Sequence, residues 1–339
     1  MFLIDEILKY RSLSVVGLEK NTGKTECLNY LLRGLRGRGR NVAVTSIGVD
    51  GETCDQIYGT SKPEIRIFEG MYFVTTGNYF LEKQLTAEII RVDDQQTALG
   101  KLVTAKALNG GAVVLSGPVH TVKMKTLIEG LLSEGMDIVI IDGALSRLSL
   151  GAPAITESMI LATGAALSGN VAELVRRTKY TCDLIGLPEV EPVEKARLEA
   201  VEQGVWVIGE DGGVIDLNKA SALSADGIDK EFFRYGSRFY AAGAVGDKFL
   251  SSLKCLKYPV ELIVRDFTRI FACPEVFYAY LKSGKKISVL QKSRLLAICV
   301  NPQSPEGIVM DSDVLCERLG QEVDVPVFDV RKMGDNYAV

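Results

Sequence analysis

The chain is poor in the residues on which many active sites are built: among 339 residues there is one histidine and one tryptophan. His120 is the single histidine, and neither a histidine-based triad nor a convincing zinc or iron–sulfur ligand set is read in the sequence. Seven cysteines (27, 54, 182, 255, 273, 299 and 316) are scattered without a Cys-x-x-Cys pair, and read as small buried or partly buried thiols. An excess of positive charge is also missing. Thirty-nine basic residues face 43 acidic ones, a formal net charge of −4, which gives no footprint for nucleic acid or an anionic membrane surface. Long apolar runs are absent too. The segment MFLIDEILKYRS carries Asp5 and Glu6, so neither a signal peptide nor a spanning helix is expected, and the expected location is the cytoplasm. There is no internal repeat and no low-complexity tract.

What is present is the composition of a globular protein with a sizeable core, 47% apolar and 24% charged. Short apolar runs, LSVVG (13–17), NVAVTS (41–46), AVVLSG (112–117), DIVIIDG (137–143) and SMILATG (158–164), alternate with helical patterns. That alternation predicts an α/β fold with a mostly parallel sheet. Leu28, Leu31, Leu32 and Leu35 share one helical face, and Gly37 and Gly39 stop that helix. The run Arg33, Arg36, Arg38 and Arg40 at its C-terminal end is accounted for by the helix dipole rather than by a phosphate patch. β-Hairpin insertions are predicted in 63–77 around Glu69-Gly70 and in 101–117 around Asn109-Gly110, with a third in VWVIGEDGGVIDL (205–217). A Pro- and Glu-rich shift over 188–199 suggests a boundary between a nucleotide-binding domain, 1–190, and a smaller C-terminal α/β domain, 200–339. The latter would hold strands at 261–266, 286–290, 295–300 and 325–330 and helices at 274–283 and 311–320.

The stretch LSVVGLEKNTGKT (13–25) is the main chemical signal. A buried strand ending at Gly17 runs into Gly23-Lys24-Thr25, which opens an amphipathic helix. There, successive backbone N–H groups and the helix dipole favour phosphate, a lysine reaches the β and γ phosphates, and a hydroxyl ligates magnesium. Asn21, Thr22, Gly23, Lys24, Thr25 and Glu26 are therefore the candidate cofactor-binding residues, ATP and Mg2+ the expected cofactors, and Lys24 a candidate catalytic residue. The usual Walker A spacing places four residues between the glycines; here five separate Gly17 from Gly23.

Metal ligands are expected at the C-terminal ends of neighbouring strands. Asp142, ending the run IVII, has the Walker B position, with an Asp-Gly turn as the bland alternative. Asp50, in TSIGVDGE, could be a second water-mediated ligand and could activate the attacking water, or be a solvated turn residue. The candidate metal set is thus Thr25, Asp50 and Asp142. His120 reads more simply as a surface or capping residue, and Arg147 as structural rather than as a stabiliser of transition-state charge. No Asn-Lys-x-Asp element is found, only Asn218-Lys219-Ala220-Ser221, so ATP is expected over GTP.

The loop spacing resembles that of dethiobiotin synthetase and of ParA-like ATPases, with Glu19 where the latter carry a signature lysine and Lys20 beside it. Taken together, GLEKNTGKT, TSIGVDGE, YGTSKPEI, IIDGALSRLSLGAP and MILATGAAL resemble the phosphate-loop reactivase subunit family that serves lysine 5,6-aminomutase and its ornithine relatives, over roughly residues 1–190. The resemblance implies a phosphate-loop NTPase sheet, Asn21 to Thr25 on the phosphates, Asp50 and Asp142 on the metal, and conformational work that lets a damaged cofactor leave its enzyme. It also implies two partners, a MutS-like ATPase subunit and an adenosylcobalamin-dependent aminomutase. A homodimer is left open, as are a carboxylate-activating ligase of the dethiobiotin synthetase type and a nucleotide-binding scaffold.

Overall fold

A computed structural model describes residues 2–50, 64–97, 99–144, 155–223 and 233–334. The chain divides into two compact units, 1–179 with 294–339, and 180–293. The first unit opens with α1 (Phe2–Ile7), β1 (Ser12–Gly17), α2 (Lys24–Leu35), β2 (Val42–Ser46) and β3 (Gly48–Asp50). It continues through β4 (Ile65–Ile67), β5 (Tyr72–Thr76), α3 (Gly77–Glu82), β6 (Ala87–Thr97), β7 (Gly100–Ala107), β8 (Gly111–Val113) and β9 (Leu115–Gly117). Then come α4 (Thr121–Ser133), β10 (Ile138–Ala144), β11 (Ser158–Gly164) and α5 (Val171–Ile185), in which the first unit ends. The second unit holds α6 (Pro192–Leu198), β12 (Val205–Ile208), β13 (Val214–Lys219), β14 (Arg238–Ala241), α7 (Asp247–Lys254), β15 (Glu261–Val264), α8 (Pro274–Lys282) and β16 (Lys286–Val289). The chain then returns to the first unit as β17 (Arg294–Asn301), α9 (Ser312–Gly320), β18 (Val327–Phe328) and α10 (Val330–Gly334).

The first unit is built on a nine-stranded sheet of order β18-β17-β11-β1-β10-β2-β5-β7-β6. Every pair from β18 to β5 is parallel, and β7 and β6 close that edge antiparallel. The second unit has its own sheet, β13-β12-β14-β15-β16. The expected α/β class with a mostly parallel sheet and a smaller second unit is therefore what the chain forms.

Parity along the strands explains why the central runs are apolar without alternation. Ile138 and Ile140 of β10 pack with Leu13, Val15, Val42, Val44 and the buried face of α2, while Val139 and Ile141 pack with Ala43 and with Met124, Leu127, Ile128 and Leu131 of α4. Both faces of a parallel sheet are covered by helices, so apolar residues are needed on both faces of these strands. α2 ends where expected: Arg36 N–H donates to the carbonyls of Leu32 and Arg33, and Gly37 follows at φ 71°. Three members of the basic run have structural partners, Arg38 with Asp5, Arg40 with Asp137, and Arg36 over the Phe68 ring.

The structure corrects three expectations. The turn at Glu69-Gly70 does not join a hairpin: β4 pairs with β8, whereas β5 joins the main sheet between β2 and β7. Nor do the segments beside Asn109-Gly110 pair with each other; the hairpin there is β6 with β7, and the run 112–117 is two short strands, β8 and β9, outside the main sheet. The domain boundary also moves. Residues 294–339 were expected in the second domain, yet β17 pairs in parallel with β11 and carries β18 on its other side. A run such as LLAICV announces a strand buried on both faces; it does not say which sheet supplies the neighbours. The third hairpin, β12 with β13, forms as expected, turning where Gly209 N–H donates to the Gly213 carbonyl.

Candidate functional site

The candidate site lies at the C-terminal end of β1. Gly17 ends that strand, and the next residues fold back over it: a Cβ on Gly17 would stand 2.8 Å from Thr22 Oγ1. Thr22 is buried, its hydroxyl donating to the Glu19 carbonyl at 2.8 Å, and Leu18 N–H donates to the Ala162 carbonyl at the end of β11 at 2.9 Å. Two residues take left-handed backbone, Asn21 at φ 61° and Gly23 at φ 90°. Asparagine and glycine are the residues that adopt this conformation at least cost, which is why the sequence can place them there. Gly23 is the N-cap of α2 without a side-chain cap, and the first helical bond runs from Cys27 N–H to the Gly23 carbonyl at 3.0 Å. The start of α2 therefore presents first-turn backbone N–H groups and the positive end of the helix dipole.

Asp142 comes to this helix start from the neighbouring strand. It pairs in register with Val15 of β1 and Ser46 of β2, and shares the parity of Ile138 and Ile140, so its carboxylate lies on the α2 face of the sheet. Lys24 Nζ stands 3.1 Å from Asp142 Oδ1, with side-chain exposures of 14% and 1%. A carboxylate this deeply buried is kept only with a compensating cation, which the first residue of the helix supplies.

Asn301, at the end of β17, is a site residue that the sequence reading missed. Its Nδ2 donates to the Asn21 carbonyl at 3.0 Å, its backbone carbonyl accepts from Ala165 N–H at 2.9 Å, and a Cβ on Gly23 would stand 2.8 Å from its own Cβ. It holds the turn of the loop against the sheet. A polar residue directly after a buried strand was a usable signal, since α/β sheets place ligands at strand ends. Assigning β17 to the wrong domain concealed it.

The remaining candidates separate. Thr25 follows Lys24 in the first turn of α2, half-buried. Glu26 turns to Arg331, whose guanidinium stands 3.2 Å from its Oε1, so its side chain has a structural partner. The backbone of Asp50 closes β3, paired with Leu115 of β9, so it is strand and not a turn; its side chain lies outside the described residues, as does Arg147. The quoted stretches TSIGVDGE, YGTSKPEI and IIDGALSRLSLGAP likewise run partly outside them. His120 is the exposed N-cap of α4 and makes no side-chain cap bond. Among the described residues, no group of three or more His, Cys, Asp and Glu converges as a metal site.

That set still suits magnesium. This ion keeps several waters and is held by one or two carboxylates together with substrate phosphates, so a buried strand-end carboxylate and a hydroxyl in the first turn of the adjacent helix are a fitting donor set. No described helix is long and apolar enough to cross a membrane. In comparison with known proteins, no family model matches the chain and no curated protein matches it.

Proposed function

We propose that this chain binds magnesium–ATP in the loop of residues 17–25 and works as an ATP-dependent reactivating, chaperone-like subunit for an adenosylcobalamin-dependent aminomutase. The observation that carries the nucleotide reading is the ion pair between Lys24, the first residue of α2, and Asp142 at the end of the adjacent parallel strand. It joins a cation that phosphates would attract to a carboxylate that a hydrated magnesium ion would attract. Bound magnesium would neutralise phosphate charge. Lys24 would leave Asp142 for the phosphates, Asp142 would hold the metal's waters, and the Thr25 hydroxyl would approach the metal directly. First-turn N–H groups of α2 would receive the phosphate oxygens. Exchange of one partner for another at Lys24 provides two states of the loop, the minimum that conformational work on a protein requires.

The reactivase assignment rests on the sequence resemblance, and the nucleotide site described above is what it requires of this chain. The test is reconstitution. A substrate-inactivated aminomutase incubated with this protein, a MutS-like partner subunit, ATP, magnesium and fresh adenosylcobalamin should regain turnover, and should not when ATP is omitted or the Lys24→Ala variant is used. Recovery that is independent of ATP, or absent from the complete mixture, would overturn the assignment. ATP consumption that requires a small carboxylate would point instead to the ligase reading.

A further inference from the structure

Cys27 and Cys299 are far apart in sequence and meet in the core of the first unit. Their sulfurs lie 3.0 Å apart, Cys27 Sγ–H donating to Cys299 Sγ, and both side chains are buried. The position of this pair is what makes it informative. Cys27 belongs to the first turn of α2, four residues after Gly23, whose carbonyl its own N–H binds. Cys299 lies two residues before Asn301 on β17, so strand parity puts both on the same face, one under the helix and the other against the loop. The loop–helix junction is thus held to β17 by the Asn301 amide on one side and by two touching sulfurs on the other.

We propose that Cys27 and Cys299 form a reversible disulfide that latches the start of α2 to β17 and stiffens the loop of residues 18–27. A disulfide needs its sulfurs to close to about 2.05 Å, roughly 1 Å nearer than the thiols stand, a shift within the reach of two side chains already in contact. Hydrogen peroxide is an oxidant small enough to reach a buried pair. The Cys299 sulfur, which accepts the hydrogen bond, attacks one peroxide oxygen and becomes a sulfenic acid as the O–O bond breaks and one water leaves. The Cys27 sulfur then displaces the sulfenic hydroxyl, which departs as a second water carrying the last thiol proton. Two thiols and one peroxide give one disulfide and two waters, and a dithiol reductant reverses the change.

The hydrogen bond to Cys299, burial and the charge of Asp142 all hold the Cys27 thiol well above the ordinary thiol range. Cys255, which is exposed, supplies an internal control for the oxidant.

The experiment treats the full chain with peroxide until Cys255 is consumed, then denatures, alkylates and digests it. The expected result is one peptide pair joined through Cys27 and Cys299, two hydrogens lighter than the free pair and released by reductant. Amide exchange over residues 18–27 should be about tenfold slower in the oxidised protein than in the reduced one. Cys299→Ala should abolish both the cross-link and the slowing; Cys27→Ala serves the same purpose should the first variant not fold. Recovery of Cys27 and Cys299 as two separately alkylated peptides would overturn the disulfide. A cross-link with unchanged exchange would overturn the latch.

Discussion

Lys24→Met removes the cation from beside Asp142 while keeping most of the aliphatic length of the side chain. At 3.1 Å and an effective dielectric constant of about 20, the gross Coulomb attraction is about 5 kcal/mol. Desolvation of the two groups offsets much of that, and loss of one member of a buried pair costs about 3–5 kcal/mol. Lys24 is the more exposed partner, at 14% against 1%, so the lower end, about 3 kcal/mol, is expected. Asp142→Asn should cost a similar amount, because it leaves the ammonium in the same partly buried place. If the two groups act on each other, the Lys24→Met/Asp142→Asn double variant should lose about 3–4 kcal/mol rather than the sum, a coupling of about 2–3 kcal/mol. Trp206, the only tryptophan, lies on β12 in the second unit, so its fluorescence does not report on this site. Hydrogen exchange of amides in β1 and β10 measures the opening of the right unit. Additive losses within about 0.5 kcal/mol would refute the reasoning, since they would mean that the pair contributes as two independent groups.

Two further outcomes follow from backbone geometry. Gly23→Ala should lose about 2–3 kcal/mol, since φ 90° strains any L side chain and the new Cβ would meet Asn301 Cβ at 2.8 Å; adding Asn301→Gly should recover only the steric share, and urea unfolding that matches the parent would contradict this. Gly164→Ala should be worse, losing more than about 3 kcal/mol, because its Cβ would fall 2.0 Å from the Asn301 carbonyl oxygen, a backbone atom with no rotamer to give way; wild-type yield and melting temperature would count against the β11–β17 register.

The strand–loop–helix unit at 12–35 was legible because three local signals agree there. An apolar run, a glycine at the required left-handed position and a leucine face ending at Gly37 are all set by residues close in sequence. Asp142 was legible for a similar reason, as the first charge after a run buried on both faces. Pairing was much less so. The segments beside Glu69-Gly70 and Asn109-Gly110 carry turn residues and strand residues, but their partners come from elsewhere in the chain, and local chemistry cannot name them. The same limit moved β17 into the wrong domain and hid Asn301 and the Cys27–Cys299 contact, each of which depends on a strand that arrives only after the second unit has been completed.

Nucleotide binding through Lys24 is the claim on which the proposed function depends, and calorimetric titration of the purified chain with ATP and magnesium tests it most directly. Binding at one site should appear with the unaltered protein, should be lost with Lys24→Ala, and with Asp142→Asn should weaken more for magnesium–ATP than for metal-free ATP. Equal affinity of the unaltered and Lys24→Ala proteins, each shown to be folded by exchange of β1 and β10, would contradict the account.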